Sequence, residues 1–370
     1  MRDVFRVRRM WRSRGELRRR YDVVIIGGGS HGLATAYYLS KNHGIRDVAV
    51  LEQSYIGSGA AGRNTTIVRS NYRTPEGAAF YQRSVELYER LSTDLDFNLM
   101  FSQRGHLTLA HSDRAMNVMR ERAEVNQLLG IDSRVVYPDE IAELCPQLNL
   151  GPRQTWPIQG ALYHAPGGII RHDAVVWGFA RGADRGGAEI HESTKVLGLD
   201  VADGRVTAVE TNRGRIETDV VVSATAGWST LVCGLAGVRL PITTHILQAF
   251  VTEPTKPFLD AVIVSAQMHV YVSQTDRGEF LIGAEIEPYT TYNSIGTFPF
   301  LEYSARHTLE LSSPSSSACG CYAPGRACAT FPPTTAPSSA RPTSPTSTSR
   351  PAGERTASRR RRSSGRRWRS

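Results

Sequence analysis

No run in this chain of 370 residues is long and apolar enough to span a bilayer, so no membrane-crossing segment is expected. Cysteine is scarce. Residues 21–311 hold only Cys145 and Cys233, which leaves no disulfide framework and makes a reducing cytoplasm the expected, cytoplasmic setting. Acidic residues are nearly missing from the two ends. Residues 1–20 carry nine Arg against Asp3 and Glu16, and residues 312–370 carry eleven Arg against Glu354 alone. The formal charge of +9 therefore belongs to the ends, and residues 21–311 stand at −8. A basic face for nucleic acid is not expected of that acidic middle, and no nucleic-acid partner is assigned. The length leaves room for about two domains and a sizeable core.

The lead, MRDVFRVRRMWRSRGELRRR, lacks the apolar core of a secretory signal. Its two acids and its shortage of Ser fit a transit peptide poorly, so residues 1–20 read as a basic disordered lead or as sequence ahead of a later true start. From Ser312 the chain becomes Ser, Pro, Thr, Ala and Arg without apolar periodicity, which reads as a disordered tail. Cys319, Cys321 and Cys328 invite zinc, but no fourth Cys or His follows to close a tetrahedron, and no metal is assigned.

What is present is concentrated in YDVVIIGGGSHGLATAYYLSKNHGIRDVAVLEQ, residues 21–53. Val23–Ile26 is a continuous apolar run, as in a strand buried on both faces. Gly27, Gly29 and Gly32 then make the G-x-G-x-x-G turn into a helix that ends near Gly44, opening through Ser30 and His31. The first glycine permits the turn, the second lets a pyrophosphate approach the backbone, and the third lets the helix pack on the strand. Glu52 ends the next strand, Val48–Leu51, where a carboxylate can accept from a ribose diol. The alternative is a structural Gly-rich turn in another α/β unit. Residues 57–62 are small, and Arg63, Asn64, Thr65 and Thr66 offer donors suited to phosphate and flavin edges. A nicotinamide enzyme would run from the acid into a second plain βα repeat, so this loop favours FAD; read alone it could equally be a polar surface loop.

Along the rest of the chain, periodicity predicts a helix over Pro75–Leu95, a strand at residues 105–110, and a helix capped by Asp113 that stops at Gly130. A short helix follows Pro138, and another starts at His172 or Asp173 with Val175, Phe179 and Ala183 on one face. Strands are expected at residues 189–191, 195–199, 206–211 and 217–223, with turns at Asp203-Gly204 and Arg213-Gly214. The small residues Ala226 and Gly227 suit close approach to FAD. From residue 240 to 289 alternating runs around a turn at residues 275–278 read as an antiparallel sheet. By its own chemistry His172 is a helix-start histidine.

Two stretches, YDVVIIGGGSHGLATAYYL and AGRNTTIVRSNY, resemble the amine-oxidising flavoproteins related to D-amino acid and glycine oxidases. HGLATAYYLSKNHGI, RHDAVVWGFAR and HVYVSQ look most like the beta subunit of heterotetrameric sarcosine oxidase, over about residues 21–311. The resemblance implies an α/β fold: a Rossmann-like FAD-binding domain (about 21–75 and 165–235) interleaved with an antiparallel-sheet substrate domain, α+β in character (about 76–164 and 236–311). It implies oxidation of sarcosine or a related small amine, with hydride passing to FAD, electrons to a covalent FMN, and oxygen reduced to hydrogen peroxide. It places that FMN on His172 with Arg171 as a flavin-binding neighbour, sets the backbone of Val196 against the adenine, and pairs Arg69 with the substrate carboxylate. The implied partners are alpha, gamma and delta subunits, one of them carrying NAD, with tetrahydrofolate as a further ligand. Another secondary-amine or amino-acid oxidase, or an inactive flavin-binding remnant, stays open. The family's last strands and its Gly-rich flavin-covering segment have no match after residue 311, so the tail reads as off-frame translation.

Overall fold

The structure, a computed structural model, describes residues 10–12, 15–152, 154–284, 290–292, 296–312 and 334–337. Its organising element is β1 (Val23–Ile26), all four residues of which are buried. A strand apolar on both faces must be covered on both faces, and it is. β1 pairs in parallel with β2 (Val48–Leu51) on one side and with Val221–Ser223 on the other; Glu189–His191 extends the sheet beyond β2. On one face Ile25 and Val50 meet α1 (Ser30–His43) and later Phe179 and Ala183. On the other face Val24 and Leu51 meet Val209 and Ile216 of a three-stranded antiparallel sheet, residues 196–217. Helix layer, parallel sheet and antiparallel sheet thus stack in three layers.

α2 (Pro75–Leu95) begins where Thr74 accepts a hydrogen bond from the Gly77 N–H, and it carries proline in its first turn. α3 (Asp113–Leu128) is capped by Ser112, whose Oγ accepts from the Ala115 N–H at 3.3 Å. The expected cap Asp113 is instead the first helical residue, where its charge faces the positive helix end. After α4 (Pro138–Leu144) the chain returns through α5 (His172–Arg185), which packs along α1 with Ala180 and Ala183 fully buried.

The second core is covered by a seven-stranded sheet with Leu107, Leu109, Phe250 and Phe280 beneath it. Most of its pairings are antiparallel as expected, and Val270–Gln274 with Phe280–Ala284 forms the hairpin about residues 275–278. One pairing corrects the expectation: Val262–Ser265 runs parallel to His106–Ala110, so the sheet is mixed. The helix Phe298–Leu311 closes this core with Phe300, Leu301 and Leu311. The chain leaves the parallel sheet for this sheet, returns, and leaves again, which is the interleaving the α/β reading expects.

Three further expectations change. The strand expected over residues 217–223 is two strands, Gly214–Glu217 and Val221–Ser223, which belong to different sheets. The described part of the basic lead is tied down: Arg12 pairs with Asp184, Arg18 with Asp47 and Glu189, and Arg19 with Glu217, while Trp11 and Leu17 pack on the cores. Scarcity of acid in the lead is answered by acid on the body. The tail falls almost wholly outside the described residues, as do Cys319, Cys321 and Cys328; Thr334–Pro337, however, is a strand antiparallel to Thr244–Leu247. No helix among the described residues is long and apolar enough to cross a membrane.

Candidate functional site

A cleft of about 1420 Å³ opens at the C-terminal ends of the parallel strands, where an open α/β sheet binds its ligands. Its floor is the turn from β1 into α1. Gly27 has φ of 113°, and a Cβ there would stand 2.4 Å from the Ala224 carbonyl oxygen. A Cβ on Gly32 would stand 1.9 Å from the Gly27 oxygen, so only glycine lets α1 approach β1. Gly29 differs. A Cβ there would meet nothing nearer than Ala61 at 3.6 Å, because the space above it is cleft. No side chain caps α1 and its first turn holds no acid, so Ser30, His31 and Gly32 present a bare positive helix end.

Glu52 lies at the end of β2, 8% exposed. Its Oε2 accepts from the Gly28 N–H at 2.9 Å, and its Oε1 accepts from the Ser54 N–H at 2.9 Å and the Ser58 hydroxyl at 3.3 Å. The carboxylate therefore locks the cradle to the loop that follows β2, and faces the cleft with its remaining lone pairs. In that loop Arg63, Asn64 and Thr66 line the cleft. The Asn64 amide is spent internally: Nδ2 donates to the carbonyls of Ala60 and Ala61, and Oδ1 accepts from the Thr66 N–H at 2.8 Å. Thr65 turns away and hydrogen-bonds Tyr271 of the second sheet.

Val196 lines the cleft beside Thr194, Lys195 and Leu197. Gly227 is buried behind the wall, its carbonyl accepting from the Thr244 hydroxyl at 2.6 Å, and Ala226 and Trp228 face the cleft in its place. His172, first residue of α5, lines the cleft, as do Tyr38, Tyr88, Val175 and Phe179. Its Nδ1 is buried without a hydrogen bond, and burial lowers the ring below its ordinary pKa. Arg171 is held away by a two-point ion pair with Asp173, at 2.8 and 3.1 Å. Arg69 is not in the cleft wall; it lies behind the loop, donating to Asn71 Oδ1 at 3.0 Å with its guanidinium 4.2 Å from the centre of the Tyr72 ring.

Sequence reasoning passed over Tyr38, Tyr88 and Trp228, and over a buried group around Arg69 formed by His106, Arg122 and His164. His106 is 1% exposed and neither ring nitrogen has a partner. Burial, then the charges of Arg69, His164 and Arg122, hold it neutral well below the ordinary pKa. An unfolded histidine takes a proton near pH 6.5 and the folded one does not, so stability present above about pH 6.5 is lost as pH falls, by up to about 1.4 kcal/mol per unit. Urea midpoints at pH 7.5 and 5.5 should therefore diverge less in His106→Leu than in wild type. Equal divergence in the two proteins would remove His106 as the source.

A Gly-rich βαβ cradle, a bare helix end, an acid closing β2 and a second sheet laid over the cleft together define a dinucleotide-dependent oxidoreductase of the flavoprotein type. The family described as FAD dependent oxidoreductase matches residues 22–337, and this chain belongs to it. Sarcosine oxidase subunit beta of Rhizobium meliloti (strain 1021) is 47% identical over 285 residues, 77% of this chain and 68% of that protein. The sarcosine oxidase subunit beta of Rhodobacter capsulatus is 44% identical over 296 residues, covering 80% of this chain and 71% of that protein. Among solved structures, L-proline dehydrogenase from P. horikoshii superposes with a TM-score of 0.76 at 28% identity, covering 82% of this chain and 79% of that one.

Proposed function

We propose that the chain oxidises sarcosine, or a close secondary amine bearing a carboxylate, as the beta subunit of a multi-subunit oxidase. The observation that carries this is the Gly27–Gly32 cradle opening onto the cleft, in a chain 44–47% identical to sarcosine oxidase beta subunits. FAD supplies the acceptor for a hydride from the carbon beside the amine nitrogen. The residues present fit it: the open face of Gly29 admits a pyrophosphate, the uncapped end of α1 receives its charge, and Glu52 faces the ribose. Val196 borders the adenine end, and Arg63 and Thr66 border the ring end. A second flavin, FMN, is assigned to His172, whose orphaned Nδ1 and neutral ring suit attachment. The other subunits, and tetrahydrofolate as a ligand of the assembly, belong to the same reading.

Arg69 holds the substrate carboxylate. It is half-buried and without an acidic partner among the described residues; Nη1 donates to Asn71, which leaves the Nε–Nη2 edge for two carboxylate oxygens. Losing a charged hydrogen-bond partner costs about 1.5 to 3 kcal/mol, so Arg69→Ala should raise the Michaelis constant for sarcosine by about tenfold or more. An unchanged constant would take Arg69 out of the site. The function itself is tested by adding sarcosine anaerobically to the FAD-loaded chain assembled with its partner subunits: the oxidised-flavin band should bleach. The likeness to L-proline dehydrogenase makes L-proline, also a secondary amine with a carboxylate, the comparison substrate. Bleaching by L-proline alone would move the assignment to a cyclic amine, and no bleaching by either would leave an inert flavin-binding protein.

A further inference from the structure

Behind the loop that follows the strand Ile67–Val68, two guanidiniums from distant parts of the chain converge on one oxygen. Arg122, on α3, donates through Nε to the Asn71 carbonyl at 2.7 Å and reaches the same oxygen through a second N–H. Arg69 reaches that carbonyl at 3.4 Å. Arg69 also donates to Asn71 Oδ1 at 3.0 Å, so both cations rest on neutral acceptors of Asn71, and neither has a carboxylate partner among the described residues. The near histidines do not supply the missing negative charge. His164 Nε2 accepts from the Ser70 N–H at 3.2 Å, which leaves Nδ1–H to donate to the Asp132 carbonyl at 2.6 Å, so this ring is neutral and satisfied. His106 is neutral, fully buried and has no partner at either nitrogen. Burial, with Arg69 and Arg73 adding repulsion, pulls Arg122 down to about 9, so it remains a cation at neutral pH held in an unfavourable place. Desolvated charges in folded proteins are ordinarily paired; the Nε–Nη2 edge of Arg122 rests on a neutral carbonyl that a carboxylate would replace with opposite charge, and Arg69 keeps its own Nε–Nη2 edge for the same planar anion.

We propose that Arg122 is the second guanidinium of a carboxylate site shared with Arg69, so that the substrate's carboxylate is gripped from two elements at once. The inference rests on the amine-oxidase reading for its ligand, and it adds a second residue to the carboxylate's recognition. The site selects amines that carry a carboxylate and rejects uncharged amines of equal size, because two half-buried cations gain nothing from a neutral group. A free small carboxylate offers the same chemistry, so acetate serves as the probe.

The test titrates acetate into the full chain calorimetrically, with acetamide as the neutral control, for wild type, Arg122→Gln and Arg122→Lys. Acetate should bind and acetamide should not. Arg122→Gln should weaken acetate by about tenfold or more, the size of one charged hydrogen bond, and Arg122→Lys, which keeps the charge and loses the fork, by less. If Arg122→Gln fails to fold, the lysine variant carries the test: unchanged affinity for acetate there overturns the proposal, as does unchanged affinity in the glutamine variant. In the assembled enzyme Arg122→Gln should raise the Michaelis constant for sarcosine while flavin reduction at saturation changes little; an unchanged constant also overturns the proposal. The two readings separate cleanly. Acetate binding that depends on Arg122 in a protein that sarcosine fails to bleach leaves the carboxylate site standing and removes the amine-oxidase reading. Bleaching by sarcosine with acetate affinity indifferent to Arg122 does the reverse.

Discussion

Valine at position 29 is expected to give a chain that folds, melts close to wild type, and purifies without FAD. Backbone geometry allows the substitution: Gly29 has φ of −83°, and the nearest atom to an added Cβ is Ala61 Cβ at 3.6 Å. What the isopropyl group would fill is the open space above the helix end, where the pyrophosphate must lie to reach the N–H groups of α1. Each charged hydrogen bond lost there is worth about 1.5 to 3 kcal/mol, and losing two or more lowers FAD affinity by about a thousandfold or beyond. Gly32→Val is the internal contrast. Its Cβ would collide with the Gly27 carbonyl at 1.9 Å, so this variant should lose the packing of α1 on β1 and much of its stability whether or not FAD is present. Flavin absorbance per chain after gel filtration, set beside a thermal melt of the apoprotein, separates the two glycines. Near-stoichiometric FAD in Gly29→Val would contradict the role given to that residue.

The cradle was legible because its information is local. An apolar run, three glycines at fixed spacing and an acid twenty residues beyond Gly32 state strand, turn, helix and strand without reference to the rest of the chain. Helices α2 and α3 were legible for the same reason, through apolar periodicity, although their caps proved to be Thr74, which was not foreseen, and Ser112 rather than Asp113. Long-range pairing was not. Val262–Ser265 beside His106–Ala110 joins segments far apart in the chain, and two short buried strands carry nothing that says whether they run parallel. Phe179 shows a different limit: the side of a helix that walls a cleft is as apolar as the side that fills a core, so periodicity placed it on the apolar face without saying what that face meets. Arg122 and His106 are single residues far from Arg69 in sequence, and only the fold brings their charges to bear on one another. The arginines of the lead were misread because their partners, Asp184, Asp47, Glu189 and Glu217, lie elsewhere in the chain.

Alanine at position 172 is expected to abolish flavin that stays with the protein through acid precipitation, and to leave acid-released FAD at its wild-type level. Histidine is well placed for such a bond. It opens α5, its Nδ1 makes no hydrogen bond, and burial favours the neutral ring, so its lone pair can bond to the 8-methyl carbon of a bound flavin, the methyl group giving up protons and the flavin ring taking up the electron pair that oxygen later removes. It lines the same cleft as Tyr38, Tyr88, Val175 and Phe179. Because a covalent link depends on one ring and the cradle does not, the two flavin pools should respond independently. His31 also faces the cleft but belongs to the helix end of the cradle, so His31→Ala should keep the acid-stable flavin that His172→Ala loses. The measurement is flavin absorbance in pellet and supernatant after precipitation, on protein co-expressed with its partner subunits. Acid-stable flavin persisting in His172→Ala would place the attachment on another residue, and its loss in His31→Ala instead would assign the bond to the cradle itself.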